Sequence, residues 1–486
     1  MWNLDNSYAR LNPGLFAHQL PTPVAEPHWV LRNPALADIL GLDPATLHSD
    51  ELLAICAGNA LPPGSEPLAQ AYAGHQFGNF TILGDGRAVL LGEQLTPDGQ
   101  RIDLQLKGSG PTPFSRRGDG RAGLGPMLRE FIISEALHGL GIPATRSLAV
   151  VATGEPVYRQ QVEPGAVLLR TAASHLRVGT FEYAHHQGGV ERVRELADYC
   201  INRHYPDCAQ ADNPYLALLR AVIQRQAELI ANWMQVGFIH GVMNTDNMSL
   251  CGESIDFGPC AFMDEYASNT VFSSIDQHGR YAYANQPAIG QWNLARFAET
   301  LLPLLAEDQK NAISLAQQAL GDYVDNYQKA WLQGMGCKLG LADATESDRR
   351  LIDDWLKLLE QEKADFTNSF RALSGDPASL AQLPTQPLFQ QPAFTQWQQR
   401  WQARLNDQHG DQTTAVALMQ AHNPQVIARN HQVEHALQAA VQFGELQPCE
   451  QLLSHLRQPY ACSPGMADYC RPPEPSERVL QTFCGT

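Results

Sequence analysis

Asn247 and Asp256 are the residues whose types and spacing most directly offer chemistry. They lie in the stretch GFIHGVMNTDNMSLCGESIDFG, Gly237 to Gly258. An amide oxygen and a carboxylate brought together there present hard ligands to Mg²⁺ or Mn²⁺ beside a triphosphate. An apolar approach, Phe238-Ile239, runs into His240-Gly241 and then a polar loop, Asn244-Thr245-Asp246-Asn247. Two short β-like pieces around Gly252-Glu253 are expected to return the chain to Asp256-Phe257-Gly258.

The step from His240 to Asn247, followed by Asp-Phe-Gly, is the one that protein kinases use to hold metal and nucleotide. Val242 stands where a kinase has its catalytic Asp, so an orthodox phosphotransferase is disfavoured. A second group of residues fits the nucleotide-covering half of such a site. Gly84 and Gly86 let backbone N–H groups approach phosphate oxygens, Arg87 adds a charge-assisted contact, and Lys107 closes a period-two run at 102–107. Hairpin turns use the same glycines. A helix over 126–139, opened by Pro126 and stopped by Gly139, carries Glu130 and Glu135. One of them would hold Lys107 toward the phosphates, and motif alignment selects Glu130. The Gly- and Arg-rich loop 108–121 suits an anionic ligand. Arg170 and Arg177 are of a kind that usually sits on the surface, but beside phosphates they would clamp them.

These residues need two kinds of support. Strands are expected at 80–83, 88–92 and 102–107, then at 147–153, 157–161 and 166–169 with a turn at Gly154-Glu155-Pro156, the β-rich run extending to 183. After about 190 the pattern is helical: 191–203, 214–236, 291–305, 308–333 and 347–371. A β-rich half before a helical half implies an α+β, bilobal kinase-like fold. Its expected parts are an irregular N-terminal wrap (1–66), a small lobe (67–185), a large lobe (186–380) and a C-terminal helical extension with an exposed tail (381–486).

Composition sets the bounds. The 486 residues are 44% hydrophobic and 17% charged, as in a globular protein with a sizeable core. The net charge of −17, from 34 basic and 51 acidic residues, argues against a nucleic-acid or anionic-membrane surface. There is no run of 18 apolar residues and no basic, then apolar, start, so a cytoplasmic location is expected. The ten cysteines form no C-x-x-C pair. Cys484, three residues from the end, has the accessibility that redox thiols need.

Three long motifs carry a resemblance: Ala73-Gly74-His75-Gln76-Phe77-Gly78, the run from Leu106-Lys107 through Gly110-Pro111-Thr112-Pro113-Phe114-Ser115-Arg116, and His240 through Asn247. With Asn423-Pro424, Arg429-Asn430-His431 and the near-terminal cysteine, they resemble the SelO family over nearly the whole chain. The resemblance implies a kinase-like fold that transfers AMP from ATP to Ser, Thr or Tyr hydroxyls of target proteins, with UMP from UTP as an alternative donor reaction. It implies a nucleotide bound in the reverse sense to kinases, its γ-phosphate buried. Lys107, Arg170 and Arg177 would then hold the buried phosphates, with Lys107 oriented by Glu130. Gly84, Gly86, Arg87, Asp119 and Gly120 would line the nucleotide, Asn247 and Asp256 would ligate the metal, and Asp246 would take the acceptor proton. Cys484-Gly485-Thr486 departs from the family's usual ending. Residues 265–290 lack the cysteine with which some relatives pair the terminal one, leaving Cys251 and Cys260 as the nearer partners.

Overall fold

Alternating Val, Leu and Ala runs between residues 4 and 172 form one nine-stranded antiparallel sheet. The computed structural model describes residues 2–159, 161–375, 387–409, 412–461 and 464–483. Across the sheet the main path runs Phe16–His18, Leu68–Gln70, Ala88–Leu95, Arg101–Lys107, Val162–Ala172, Arg146–Tyr158 and His28–Arg32. Leu4–Asp5 adds to the Ala88–Leu95 strand, and Ala122–Gly123 to Val162–Ala172.

Side chains alternate across a strand, so each face makes its own core. Val89, Leu91, Leu104, Val151 and Leu169 pack with Leu36, Leu52 and Ile55 from the helices Pro34–Ile39 and Asp50–Ala57. Leu90, Val150 and Leu168 belong to the other core, with Leu128, Phe131 and Ile132 of the helix Leu124–Gly139. That helix is buried on nearly every side from Met127 to Leu137. Its far face is covered late in the chain by Asn430–Phe443 and Gln447–Leu456, with Arg129 NH1 donating to Glu434 Oε1 at 2.8 Å. The second half is a helical mass built on Val178–His204, Pro214–Val236, Gln286–Leu305 and Gln309–Lys338. Beyond it Trp355, Trp397 and Trp401 stack in a separate core.

Several expected boundaries differ. The first 66 residues contribute three strands to the sheet instead of an irregular wrap. Asn79–Ile82 is not in the large sheet; it pairs with Ala73–Gln76 in a separate hairpin. The expected turn at Gly154-Glu155-Pro156 is a bulge inside the single strand Arg146–Tyr158, with the register shifting between Ala152 and Pro156 and Gly154 at φ +73°. The β-run stops at Ala172, and Val178 already opens a helix, since the Thr180 hydroxyl and Arg177 cap its first turn. The 347–371 segment is two helices, Arg349–Glu362 and Phe366–Leu373, broken where Lys363 adopts φ +49°. Gly252-Glu253 forms no strand; Phe238–Ile239 pairs instead with Ala261–Phe262, beyond the Asp-Phe-Gly.

Near the C-terminus Thr482 bridges to Ser273 and donates its hydroxyl to Pro259 O at 2.5 Å, just past Gly258. Cys484, and any pairing of its thiol, lies outside the described residues. Cys251 and Cys260 are buried free thiols, both pushed up to about 12 by burial. Among the described residues, no helix is long and apolar enough to cross a membrane.

Candidate functional site

Three basic side chains meet two carboxylates where the sheet faces the Gly237–Gly258 segment. Lys107 ends one strand, and Arg170 lies on its neighbour, opposite Gln105. Lys107 Nζ donates to Glu130 Oε2 at 2.5 Å and to Asp256 Oδ1 at 2.7 Å. Arg170 NH1 donates to Glu130 Oε1 at 3.0 Å and to Asp256 Oδ1 at 2.6 Å, while its Nε reaches Gln105 Oε1 at 2.8 Å. Arg177 NH1 donates to Asp256 Oδ2 at 3.1 Å, and its guanidinium lies 4.4 Å from the centroid of Tyr72. Glu135 faces elsewhere, in a two-pronged pair with Arg146 at 2.7 and 2.8 Å. Glu130 is thus the helix carboxylate that meets Lys107.

Burial opposes ionisation of both site carboxylates, but the cations outweigh it. Arg170, Lys107 and Arg177 hold Asp256 well below the usual carboxylate range, and Lys107 and Arg170 lower Glu130. Lys107, Arg170 and Arg177 converge on Asp256 and Glu130, and Asp85 and Asp246 are further carboxylates near Arg177. Among the described residues, Arg177 NH2 is buried without a hydrogen-bond partner. A buried donor of this kind can be satisfied by a ligand oxygen.

Asp246 sits beside this cluster on a short 3₁₀ turn, Thr245–Asn247. Arg177 NH1 donates to Asp246 O at 2.9 Å, and Asn247 Nδ2 to Val242 O at 3.0 Å. The turn is also held from the Ala73–Gln76 hairpin: His75 N donates to Thr245 Oγ1 at 2.7 Å, and Phe77 N to Asn244 Oδ1 at 3.0 Å. Glu182 accepts from the Thr245 hydroxyl at 2.6 Å and pairs with His75 Nδ1. Among the described residues, Asp246 Oδ1 has no hydrogen-bond partner. Burial pushes its carboxyl up to about 6, with Arg177 pulling the other way. His240 is fully buried and ties the loop to the segment leading into Asp256 through Nε2 and Ile255 O, 2.9 Å apart.

Two glycines seat this loop, and the sequence reading assigned no role to either. A Cβ on Gly74 would stand 2.7 Å from Asp246 Cγ and closer still to Oδ1. One on Gly179 would lie 3.0 Å from the Ala73 carbonyl carbon and closer to its oxygen. Gly74 was visible within its motif, but a close approach between residues 172 positions apart leaves no local pattern. Gly74→Ala is expected to lower turnover at least tenfold by displacing Asp246, since small misplacements cost that much. Steady-state rates beside nucleotide titration check this, with affinity staying near wild type.

Gly84, Gly86, Arg87, Lys107, Asp119, Gly120, Glu130, Arg170, Asp246, Asn247 and Asp256 all face one cleft of about 1480 Å³, and Arg177 stands behind it. Gly84, at φ +140°, lies against the Phe114 ring, where a side chain would clash. Asp119 is half exposed and held by Arg159 NH2 at 2.8 Å. Asp85, between the two loop glycines, is a buried carboxylate that sequence reasoning missed. Its Oδ2 accepts from Gln70 N at 3.1 Å and Gln105 Nε2 at 3.0 Å, and burial raises its pKa.

The donor set also fits a divalent cation. Asn247 commits its NH₂ to Val242 O, which leaves the amide oxygen for a ligand, and Asp256 lines the same cleft. Among the described residues, no cluster of three His, Cys, Asp or Glu could hold a metal alone. One carboxylate and one amide, completed by phosphate oxygens and water, is how Mg²⁺ is commonly held.

A family model described as "Protein adenylyltransferase SelO" matches residues 3–457. Curated relatives named "Protein nucleotidyltransferase YdiU" align over 485 residues. That of Syntrophotalea carbinolica is 57% identical, covering 100% of this chain and 98% of the relative. That of Geobacillus kaustophilus is 58% identical over 100% and 99%, and that of Alkaliphilus metalliredigens 58% over 100% and 98%.

Proposed function

Because the chain belongs to the SelO family, and so is a protein nucleotidyltransferase, we propose that its cleft transfers AMP from ATP to Ser, Thr or Tyr hydroxyls of target proteins. The observation that carries this reading is the placement of ionisable groups. Apolar Val242 occupies the kinase base position, and the buried carboxylate beside the anion-binding cations is Asp246. We read the architecture as kinase-like and bilobal, with lobes near 67–185 and 186–380. The Lys107–Glu130 pair and the Asn247–Asp256 donors support it.

In this mechanism Lys107, Arg170 and Arg177 exchange Asp256 for the β- and γ-phosphates, and Glu130 keeps Lys107 aimed at them. Gly84, Gly86 and Arg87 cover the nucleotide from the sheet side, with Asp119 and Gly120 at its outer end. Asn247 and Asp256 would hold Mg²⁺ or Mn²⁺, which when bound supplies charge neutralisation to the phosphates. Asp246 accepts the proton of the acceptor hydroxyl as its oxygen bonds to the α-phosphorus. The bond from that phosphorus to the β-phosphate's bridging oxygen breaks, and pyrophosphate leaves among the three cations. A preorganised cationic site stabilises charge developing on the leaving group without reorganisation.

ATP labelled at the α-phosphate, run beside ATP labelled at the γ-phosphate with metal and acceptor proteins, tests this. Label from the α-position alone is expected. Label from the γ-position alone would make the protein a phosphotransferase, and label from α-labelled UTP in place of ATP would change the donor. The pH profile gives a further prediction. Asp246 acts as base only when ionised, so kcat/KM is expected to rise with pH through about 6, near the raised pKa of its carboxyl. Below that it falls about tenfold per pH unit.

A further inference from the structure

Next to the Asp246 loop lies a second hollow, of about 710 Å³, which shares Phe77 and Ile275 with the main cleft. One wall is the hairpin turn Phe77-Gly78, joining Gln76 to its partner Asn79. Both turn residues have positive φ, +51° and +86°. A two-residue turn of this type favours Asn-Gly, so Phe77 holds a conformation costly for an aromatic residue. Such strain persists where the surroundings enforce it, often at a ligand clamp. Here the Phe77 N–H is bound to Asn244 Oδ1, two residues before Asp246. The opposite wall is tied to the same amide, because Tyr281 Oη donates to Asn244 Oδ1 at 2.6 Å.

The hollow pairs an apolar floor with a cation. Phe77, Ile275 and Ile289 line it, and Ile275 is 51% exposed. Arg280 lies among them, 4.9 Å from the Trp292 centroid and 5.7 Å from that of Tyr281. No carboxylate among the described residues pairs with the Arg280 guanidinium, and its Nε is buried without a hydrogen bond. Asp276, which also lines the hollow, is buried and turned to the backbone, its oxygens accepting from the backbone N–H groups of Arg280 and Tyr281 at 2.9 and 2.7 Å. Arg296, on the same indole, is paired with Glu299 at 2.5 Å. In a chain of net charge −17, a half-buried arginine with no carboxylate partner among the described residues, set beside the Asp246 loop, marks a site for an incoming negative charge.

We propose that this hollow docks the acceptor protein, taking a segment whose hydroxyl residue is flanked by an acidic side chain and an apolar one. The acidic group pairs with Arg280, and the apolar side chain rests on Phe77, Ile275 and Ile289. The inference rests on the protein nucleotidyltransferase reading and adds the class of acceptor.

The test uses the full chain and matched acceptor peptides whose hydroxyl residue is flanked by Glu or by Lys, beside one common Leu. Transfer from α-labelled ATP gives kcat/KM, and ATP titration gives donor affinity. Wild type is expected to favour the Glu peptide about tenfold. Arg280→Lys should keep that preference, and Arg280→Glu should reverse it with ATP affinity unchanged. Ile289→Glu, on the apolar wall, should raise KM for the Leu-containing peptide several-fold and leave ATP binding alone, independently of the Arg280 variants. Equal use of both peptides by wild type, or the wild-type ranking in folded Arg280→Glu, overturns the docking site. Absence of α-label on every peptide and on proteins of a cell extract would instead overturn the AMP-transfer reading beneath it.

Discussion

Asp246→Asn is expected to cut AMP transfer by roughly 10²–10⁴-fold, the usual contribution of a positioned base. ATP affinity should stay within a few-fold of wild type. The substitution keeps the shape of a side chain wedged against Gly74 and removes its capacity to take a proton. The cations proposed to hold the phosphates pair with Asp256 and Glu130, and Arg177 touches Asp246 through its backbone oxygen, which the substitution leaves in place. Binding and turnover should therefore separate. The pH limb near 6 should also vanish from the residual rate. Single-turnover transfer beside nucleotide titration checks both, and an equal loss of affinity and rate would recast Asp246 as a nucleotide-binding residue.

Asp256→Ala should have a larger effect, and a different one. Transfer is expected to fall to background, because the proposed metal donor is lost with the carboxylate. The free protein should also be destabilised, by about 3–5 kcal/mol, the usual cost of removing one partner from a buried ion cluster. Lys107 and Arg170 would be left with Glu130, and Arg177 would lose its ion pair with Asp256. Pyrophosphate can replace the missing charge, so it should raise the melting temperature of the variant by more than that of wild type. Thermal unfolding with and without pyrophosphate reads this directly. Equal shifts in the two proteins would mean that these cations do not receive phosphate.

Much of the cluster could be read from the chain because its parts lie in local patterns. The period-two strand ends on Lys107, the helix signalled by Pro126, though it begins at Leu124, holds Glu130, and His240 to Asn247 keeps a fixed step. The helix Pro214–Val236 has the expected bounds, set by Asn213 as its cap and Gly237 at φ +71°. What stayed hidden depends on tertiary approach. Arg170 and Arg177 look like surface charges until Asp256, far along the chain, is folded onto them. Gly154 reads as a turn because nothing local says that both flanks continue in the same sheet. Asn79–Ile82 has a strand's composition, but its partner is the preceding hairpin arm, and composition does not choose partners. Asp256 itself adopts φ +64°, which an Asp tolerates and no spacing rule would reveal.

The origin of the sheet in the first 172 residues has a consequence for synthesis on the ribosome. Every strand of the large sheet is available before the Asp246 loop has been made. The outer face of the Leu124–Gly139 helix, however, is not covered until Asn430–Phe443 emerges. At about 5–20 residues per second that delay is on the order of 15–55 s. For that interval the nascent chain carries a formed sheet backed by a bare apolar helix. Trigger-type chaperone engagement should be concentrated there, and truncations between residues 172 and 443 should precipitate where the full chain does not.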